Sequence, residues 1–380
     1  MRKICSLDEA VVFFRDTLAA HPERDALAAD RLIEQGRRRK YPVICLNHMN
    51  DPADTGSEID EFKIPDVVTP DTAEGRLARE VVNLLAPLKM DNPVRASFRM
   101  GRGTGTLAAS FGIPLDPEAD YAPRLTRDLA GMLKEPEPDP EKAGLMPEIK
   151  ERIGFLRSAL PEDFKIQFPD MQGPFNLIHA ITGNDAFLAP YVQPGEFKEM
   201  MARIVRLWLG VRRLLLQWIG PDRLDSIYYD RICECSVNMI SPEMYKDHVL
   251  DHDRAIAREI GPIHLHHCSG PHVFHTVYET VPVYSVEAGW CDNAFAGSAS
   301  VEEVVAAIGP RDICLTIGQE LPEDFTAARN VVQKHLDLYE SHPRIRFQYT
   351  GMLWKKKDRT LIRGLHRDLD TYWEKKFACT

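Results

Sequence analysis

The chain has 380 residues, 44% of them hydrophobic and 27% charged, and its formal net charge at pH 7 is −10. This composition is typical of an ordinary globular protein and excludes collagen-like, coiled-coil and disordered chains. Basic residues form only small clusters, at 36–40 and 355–357, so a broad nucleic-acid-binding face is not expected. The length suits either one large α/β barrel or two ordinary domains.

The cellular compartment can be predicted from three features, namely the amino-terminal segment, the apolar segments and the cysteines. Asp8 and Glu9 precede the first short apolar run, which argues against a signal peptide. The most apolar segment, RLWLGVRRLLLQWIG, is interrupted by Arg212 and Arg213 and is too short to span a membrane. The eight cysteines are scattered along the chain, which predicts reduced thiols. We therefore expect a soluble cytoplasmic protein with no membrane association.

Short apolar or β-branched runs alternate with longer helical patterns along most of the chain. The candidate strands, in chain order, are PVICLN (42–47), VRASFRM (94–100), FKIQFPD (164–170), DSIYYD (225–230), PIHLHHC (262–268), VYSVEAG (283–289), DICLTIG (312–318) and RIRFQYTG (344–351). Between them lie helical patterns, of which 197–218 and 322–339 each place apolar residues along one face at a spacing of 3.6. Alternation of this kind predicts parallel strands joined by right-handed crossovers.

The number of strand–helix units favours a single (β/α)8 TIM barrel over an open doubly wound sheet. We assign residues 41–380 to this barrel and residues 1–40 to an N-terminal helical extension. In such a barrel the chemistry lies at the carboxyl ends of the strands. Polar or reactive residues at or just past the ends of the candidate strands are Arg99, Asp170, Asp230, His266, Cys268, Glu287 and Gln319, and Gln348 within the last strand could also shape the pocket.

The stretch IHLHHCSGPH (263–272) contains four histidines and one cysteine. If it is a strand, residues 264, 266 and 268 lie on one face, whereas Ile263 and Leu265 lie on the other. His266 and Cys268 can then converge on one ion, since zinc accepts imidazole nitrogen and thiolate sulfur, and a catalytic site has three protein ligands. The alternative is a pair of interior histidines that form hydrogen bonds beside a buried, inert thiol.

Five stretches, in this order, resemble the uroporphyrinogen decarboxylase superfamily. They are FPDMQGPFNLIHAITGND (168–185), YYDRICECSVNMISPEMY (228–245), IHLHHCSGPHVFHTVYE (263–279), VEAGW (286–290) and IGPRDICLTIGQELPEDF (308–325). The resemblance implies a (β/α)8 barrel, and the superfamily includes zinc-dependent methyltransferases that act between corrinoid proteins and thiols. Decarboxylases of the superfamily have an arginine-rich motif where this chain reads YPVICLNHMNDPADTG, without arginine. FRMGRGTGTLAASFG (98–112) instead resembles the glycine-rich segment of the methyltransferase branch.

In the methyltransferase branch a His-x-Cys-Gly motif supplies two zinc ligands, which His266 and Cys268 match, although Ser269 precedes the glycine. The third ligand of that branch is a cysteine after the last strand, and RFQYTGMLWKKK contains none. We predict Cys291 as the third ligand. Cys233, Cys235 and the carboxylate of Glu287 are the alternatives.

The resemblance implies a methyltransferase that moves a methyl group between a corrinoid protein and a small thiol, methoxy or methylamine compound. We expect zinc at His266, Cys268 and Cys291, and cobalamin carried by a separate protein, because the chain has no D-x-H-x-x-G motif. Asp230 and Glu287 are the predicted catalytic residues. The residues predicted to contact substrate or cofactor are Arg99, Asp170, Gln319 and Gln348.

Two other functions stay open at this point, because this barrel supports many chemistries. One is a metal-free decarboxylase or lyase, in which Arg99 or Arg102 holds a carboxylate and Asp230 stabilises a protonated intermediate. The other is a non-catalytic barrel that binds a small ligand or a corrinoid partner. The family likeness implies a monomer or a homodimer.

Overall fold

The computed structural model describes most of the chain. The described residues are 3–28, 43–48, 65–90, 92–101, 103–115, 127–225, 229–267, 281–291, 300–308, 314–320, 322, 324–341, 348–353, 364–365, 367–368 and 371. The strands are β1 (Lys3–Ile4), β2 (Val43–His48), β3 (Asp66–Val67), β4 (Ser97–Arg99), β5 (Lys165–Gln167), β6 (Arg231–Cys233), β7 (Ile263–His267), β8 (Val283–Cys291), β9 (Cys314–Glu320) and β10 (Gln348–Leu353).

Helices separate most of these strands. They are α1 (Leu7–Ala20), α2 (Ala73–Asn83), α3 (Leu129–Leu133), α4 (Met146–Ala159), α5 (Pro174–Thr182), α6 (Ala189–Val192), α7 (Pro194–Ile219), α8 (Pro242–His248), α9 (Leu250–Ile260), α10 (Val301–Ile308) and α11 (Phe325–Ser341). No helix in the described part of the chain is both long and apolar enough to cross a bilayer.

Residues 1–96 and 314–380 form one compact unit. Its central strands are parallel and lie in the order β2, β10, β9. Helix α1 begins at a Ser6 cap, whose hydroxyl accepts the Glu9 N–H, and packs against α2. Strand β1 pairs in parallel with β3, which places Lys3 beside Asp66 and Ile4 beside Val67. The predicted boundary at 40/41 lies outside the described residues and stays a prediction.

Residues 97–313 form the second compact unit. Strand β4 pairs in parallel with β5, and β6, β7 and β8 form a parallel sheet in that order. Two parallel bridges, Ile166 with Leu224 and Gln172 with Cys233, join the chain around β5 to the segment that ends in β6. The 26-residue α7 buries one face against its neighbours α3, α4, α5, α6 and α9. The architecture is therefore mixed α/β with parallel strands, as the alternation predicts.

Most predicted strands lie within a few residues of an observed one, but the described residues of the strand predicted at 225–230, namely 225 and 229–230, are not in a strand. Residues 229–230 form a turn, and the strand follows at Arg231–Cys233. The Asp225 N–H bonds to the Ile166 carbonyl, whereas the ladder with β7 begins only at Arg231. Asp230 therefore precedes β6 instead of ending a strand.

Candidate active site

The second unit has a row of polar side chains on one face of its parallel sheet. In the register of β6, β7 and β8, Cys233 lies beside His266, and His266 lies beside Glu287. Two residues earlier, Arg231 lies beside His264. Because strand side chains alternate between faces, these five residues share one face. The predicted alternation of β7 is confirmed by this register.

Arg231 is the central residue of this row. Its Nη1 lies 2.8 Å from Asp170 Oδ1, and its Nε and Nη2 lie 3.0 and 2.9 Å from Glu287 Oε2. The Arg231 side chain is only 9% exposed, and those of Asp170 and Glu287 are 12% and 24% exposed. One buried guanidinium therefore joins the loop after β5 to β8.

The two carboxylates are ionised at neutral pH because of these ion pairs. Burial by itself would raise the pKa of Asp170, but the positive charges of Arg231 and Arg99 outweigh burial and lower it. For Glu287 burial again raises the pKa, whereas Arg231 and His266 lower it well below the usual value. The polar row is thus stabilised by buried ion pairs, in which the negative charges of Asp170 and Glu287 lie against the positive charge of Arg231.

Two histidines approach the same oxygen of Glu287. His266 Nδ1 lies 3.1 Å from Glu287 Oε2, and His264 Nε2 lies 3.6 Å from it. Burial lowers the pKa of His264, so this imidazole is neutral at pH 7. Burial also acts to lower the pKa of His266, but the charge of Glu287 overcomes it and raises the pKa to about 9. Without a bound metal, His266 is therefore an imidazolium at neutral pH.

Two free thiols flank this histidine pair. The buried Cys233 Sγ donates a hydrogen bond to Asp170 Oδ1 at 2.9 Å. Burial raises the pKa of the Cys233 thiol well above its usual value, so it is a neutral thiol rather than a thiolate. Cys235 is partly exposed and forms a side-chain hydrogen bond with the imidazole of His266.

Arg99 lies at the exposed edge of the cluster. Its Nη2 is 3.2 Å from Asp170 Oδ2, and its side chain is 46% exposed. Gly101, two residues after Arg99, has φ 76°, and a Cβ there would lie 2.8 Å from Cβ of Pro169. Glycine is required at this position because the backbone is left-handed and approaches the Asp170 loop closely. The loop after β4 is therefore packed tightly against the loop that contains Asp170.

Asp230 lies apart from these contacts. Its Oδ1 accepts a hydrogen bond of 2.8 Å from the Tyr284 hydroxyl, and its charge acts on Arg212 of α7. Asp230 is only 4% exposed, and burial raises its pKa to about 6 despite the hydrogen bond from Tyr284. The structure therefore does not bring the two predicted catalytic residues, Asp230 and Glu287, together through any described side-chain contact.

The raised pKa predicts that Asp230→Asn stabilises the protein at neutral pH. The folded state holds the Asp230 proton more tightly than the unfolded chain does. The contribution of this group to the free energy of unfolding therefore falls as pH rises from about 4 to about 6. Asparagine removes that cost, by up to about 3 kcal/mol for a shift of roughly two pKa units. Urea unfolding at about pH 4 and about pH 7 tests this, since the variant should gain only at the higher pH. If the variant and the wild-type protein differ by the same free energy of unfolding at both pH values, burial does not raise the pKa of the Asp230 carboxyl group.

A second buried group, which the sequence did not reveal, supports the same strands. Glu234 is 1% exposed, and its carboxyl oxygens accept the backbone N–H groups of Phe175 and Asn176 at 3.1 Å, at the start of α5. The Glu234 N–H in turn donates to the His266 carbonyl at 2.9 Å. Burial and the neighbouring Asp253 raise the pKa of Glu234. Glu234 therefore joins α5 and β7 to the residue that follows β6.

Four of the predicted site residues meet in this cluster, namely Arg99, Asp170, His266 and Glu287. Cys268 lies outside the described residues. The backbones of Cys291, Gln319 and Gln348 are described within strands, but their side chains are not. Besides Glu234, the sequence analysis did not identify Arg231 as a residue of this cluster. The signal in the sequence was the pattern Arg-Ile-Cys, in which strand alternation places an arginine on the same face as Cys233.

The donor chemistry around His266 is that of a metal ligand, but the described part is incomplete as a metal site. Among the described residues, no three His, Cys, Asp or Glu side chains are arranged to hold an ion. The His266 side chain is only 16% exposed, however, and one of its ring nitrogens lies against a carboxylate that Arg231 fixes. Ligating histidines usually have this kind of carboxylate partner, which orients the ring. A zinc site here therefore needs a thiolate from beyond the described side chains.

Comparisons with known proteins show a similarity in fold. No family model matches the chain, and no curated protein matches it. Among solved structures, the chain is similar to a methyltransferase from Methanosarcina mazei, with a TM-score of 0.54 and 12% sequence identity. The match covers 77% of this chain and 86% of that chain. At this identity the likeness is one of fold.

Proposed function

We propose that this chain is a methyltransferase of the uroporphyrinogen decarboxylase superfamily, with its strands closed into a (β/α)8 barrel. The likeness in fold to the Methanosarcina mazei methyltransferase supports this proposal, as do the parallel strands that alternate with helices. The polar row that includes Cys233, His266 and Glu287 agrees with it, because barrel enzymes have their sites at the carboxyl ends of the strands.

The observation that carries the proposal is the 3.1 Å contact between His266 Nδ1 and the Arg231-bound carboxylate of Glu287. A metal on this imidazole would take the place of the hydrogen bond that Cys235 forms with it, while Glu287 orients the ring. We propose zinc as the metal, held by His266, Cys268 and Cys291. When bound, zinc stabilises the thiolate of a small acceptor, or acts as a Lewis acid on a methoxy or methylamine donor.

The chain's own residues have positioning roles in this proposal. Glu287 orients the His266 imidazole, and Arg231 fixes Glu287 and Asp170 in turn. Cys233 stays a neutral thiol that donates to Asp170, so it supports the ion pair instead of binding metal. The methyl group would come from, or go to, a corrinoid on a separate protein.

Metal content tests the proposal. Protein purified without a His-tag or chelator should contain about one zinc per chain, which His266→Ala and Cys268→Ala should each lose. Cys5→Ser is the matched control, because Cys5 is an exposed free thiol far along the sequence from these ligands. Methyl transfer from methylcobalamin to a small thiol should fail in the same two variants. Folded wild-type protein without metal would contradict the proposal.

The metal-free lyase is the second candidate function, and the exposed Arg99 favours it. An arginine that Asp170 orients at the edge of the cluster can hold the carboxylate of a small acid. Asp230, the proposed acid of this alternative, has described contacts to Tyr284 and none to Arg99. Decarboxylation of a small acid by folded, zinc-free protein would establish the alternative, whereas zinc without any methyl transfer would indicate a non-catalytic binding barrel.

A further inference from the structure

Two buried carboxyl groups meet just after β6, and the proposed function uses neither of them. The side chains of Glu234 and Asp253 are almost inaccessible to solvent, and they are hydrogen bonded to each other. The hydroxyl of the buried Tyr245 donates to Asp253 Oδ2 at 2.7 Å. Because a carboxylate can only accept a hydrogen bond, the contact between the two acids requires a proton on one of them.

The surroundings of the two acids place this proton on Asp253. The Glu234 oxygens already accept the N–H groups of Phe175 and Asn176, and the amino end of a helix favours a negative charge there. Apart from Glu234, no residue that the structure describes offers a hydrogen-bond donor to Asp253 Oδ1. A proton on Oδ1 satisfies this buried oxygen and makes it a donor to Glu234. Burial raises the pKa of both groups, that of Asp253 to about 7, so the pair keeps a proton at neutral pH.

Glu234 reaches the start of α5 because residue 173 is a glycine. A Cβ at Gly173 would overlap the Glu234 carboxyl group, so a larger residue would move that group away from the helix. Gly173, three residues after Asp170, also donates its N–H to the Cys233 carbonyl at 2.7 Å. The Glu234 carboxyl group therefore sets the start of α5 against the end of β6, next to the loop that contains Asp170.

The same segment holds the contact between Cys235 and His266. The Glu234 N–H donates to the His266 carbonyl at 2.9 Å, and the Ser236 N–H donates to Asn176 Oδ1 at 2.6 Å. Cys235 therefore lies between two residues whose backbones are fixed. From this fixed backbone its thiol forms a hydrogen bond with the His266 imidazole. A displaced Glu234 would move both partners of that hydrogen bond.

We infer that Asp253 is a positioning residue of the candidate active site. Its carboxyl group donates a hydrogen bond to Glu234, and Glu234 fixes the start of α5 and the backbone of His266. Asparagine can replace Asp253 in this role, because its amide oxygen accepts the Tyr245 hydroxyl while its amide N–H donates to Glu234. Leucine donates nothing and leaves the buried Glu234 carboxylate with one partner fewer. The inference rests on the proposed function only for the metal that His266 binds.

Infrared spectroscopy tests the position of the proton. At pH 7 exposed carboxyl groups are ionised, so the carbonyl stretch of a protonated carboxyl group reports buried acids. The difference spectrum between the wild-type protein and Asp253→Asn should show the loss of one such band, and any contribution of Asp230 cancels in the difference. A wild-type protein without the band, or a band that stays in Asp253→Asn, would overturn the inference.

Zinc affinity, measured by competition with a chromophoric chelator, tests the positioning role. Asp253→Leu should bind zinc about tenfold more weakly than the wild-type protein, whereas Asp253→Asn should bind it as tightly. Asp225→Leu is the matched control, since Asp225 is also a buried aspartate of this unit, and its Oδ2 accepts a hydrogen bond from Gln167 Nε2 at 3.0 Å. An affinity that falls as far in Asp253→Asn, or as far in Asp225→Leu, would overturn the inference.

Failure of the proposed function gives a different result. Wild-type protein without zinc would contradict the zinc site but not the hydrogen bond from Asp253. The nuclear magnetic resonance signal of the His266 imidazole, assigned by its absence in His266→Ala, then reports the position of the ring. Asp253→Leu should shift this signal much more than Asp253→Asn does, and equal shifts in the two variants would overturn the inference.

Discussion

Arg231→Met will destabilise the protein by about 3–5 kcal/mol, because it leaves buried carboxylates without their cation. In the native protein Arg231 compensates both Asp170 and Glu287, which have little contact with solvent. In the variant the positive charge of Arg99 still compensates the Asp170 carboxylate, so most of the destabilisation comes from the uncompensated charge of Glu287. Urea unfolding at neutral pH measures the change in the free energy of unfolding.

The sign of the pH dependence gives an internal check on this prediction. The folded-state pKa values of Asp170 and Glu287 are lowered, so their stabilisation is present above about pH 4 and is lost as pH falls. The loss of unfolding free energy caused by Arg231→Met should therefore be smaller in acid, where the carboxylates become protonated. Arg206→Met, at an exposed ion pair, should cost less than about 1 kcal/mol at any pH. Equal costs for the two variants would contradict the account.

Glu287→Gln should lower zinc affinity by about 10–100-fold, the usual effect of removing the carboxylate partner of a ligating histidine. Glutamine has nearly the same shape but does not hold the His266 imidazole or the Arg231 guanidinium by charge. Competition with a chromophoric chelator measures the change in affinity. Glu259→Gln, at an exposed helical glutamate, should leave the affinity unchanged. An unaltered affinity in Glu287→Gln would show that this carboxylate does not orient a zinc ligand.

Local pattern was sufficient to predict β7 and the two faces of its residues. Alternation over 263–267 placed His264 and His266 together, and the register with β8 puts Glu287 beside His266. The strand predicted at 225–230 lies too early, since residues 225 and 229–230 are not in a strand and the ladder with β7 starts at Arg231. Tertiary pairing decided that boundary, and no local feature of the sequence shows it.

The role of Arg231 could not be predicted because its partners are distant along the chain. Asp170 and Glu287 lie 61 and 56 residues away, and only the parallel pairing of the strands brings them to one guanidinium. Glu234 was overlooked for a similar reason. A glutamate is rarely fully buried, and the backbone N–H groups that it accepts belong to α5, almost 60 residues earlier.

The zinc site is the central claim, and X-ray absorption at the zinc edge tests it most directly. The wild-type protein should show one nitrogen neighbour at about 2.0–2.1 Å and two sulfur neighbours at about 2.3 Å, from His266, Cys268 and Cys291. Cys291→Ser should remove one sulfur, and His266→Ala should remove the imidazole signal or the metal itself. A spectrum with only oxygen and nitrogen neighbours, or one that neither substitution changes, would contradict a zinc centre at these residues.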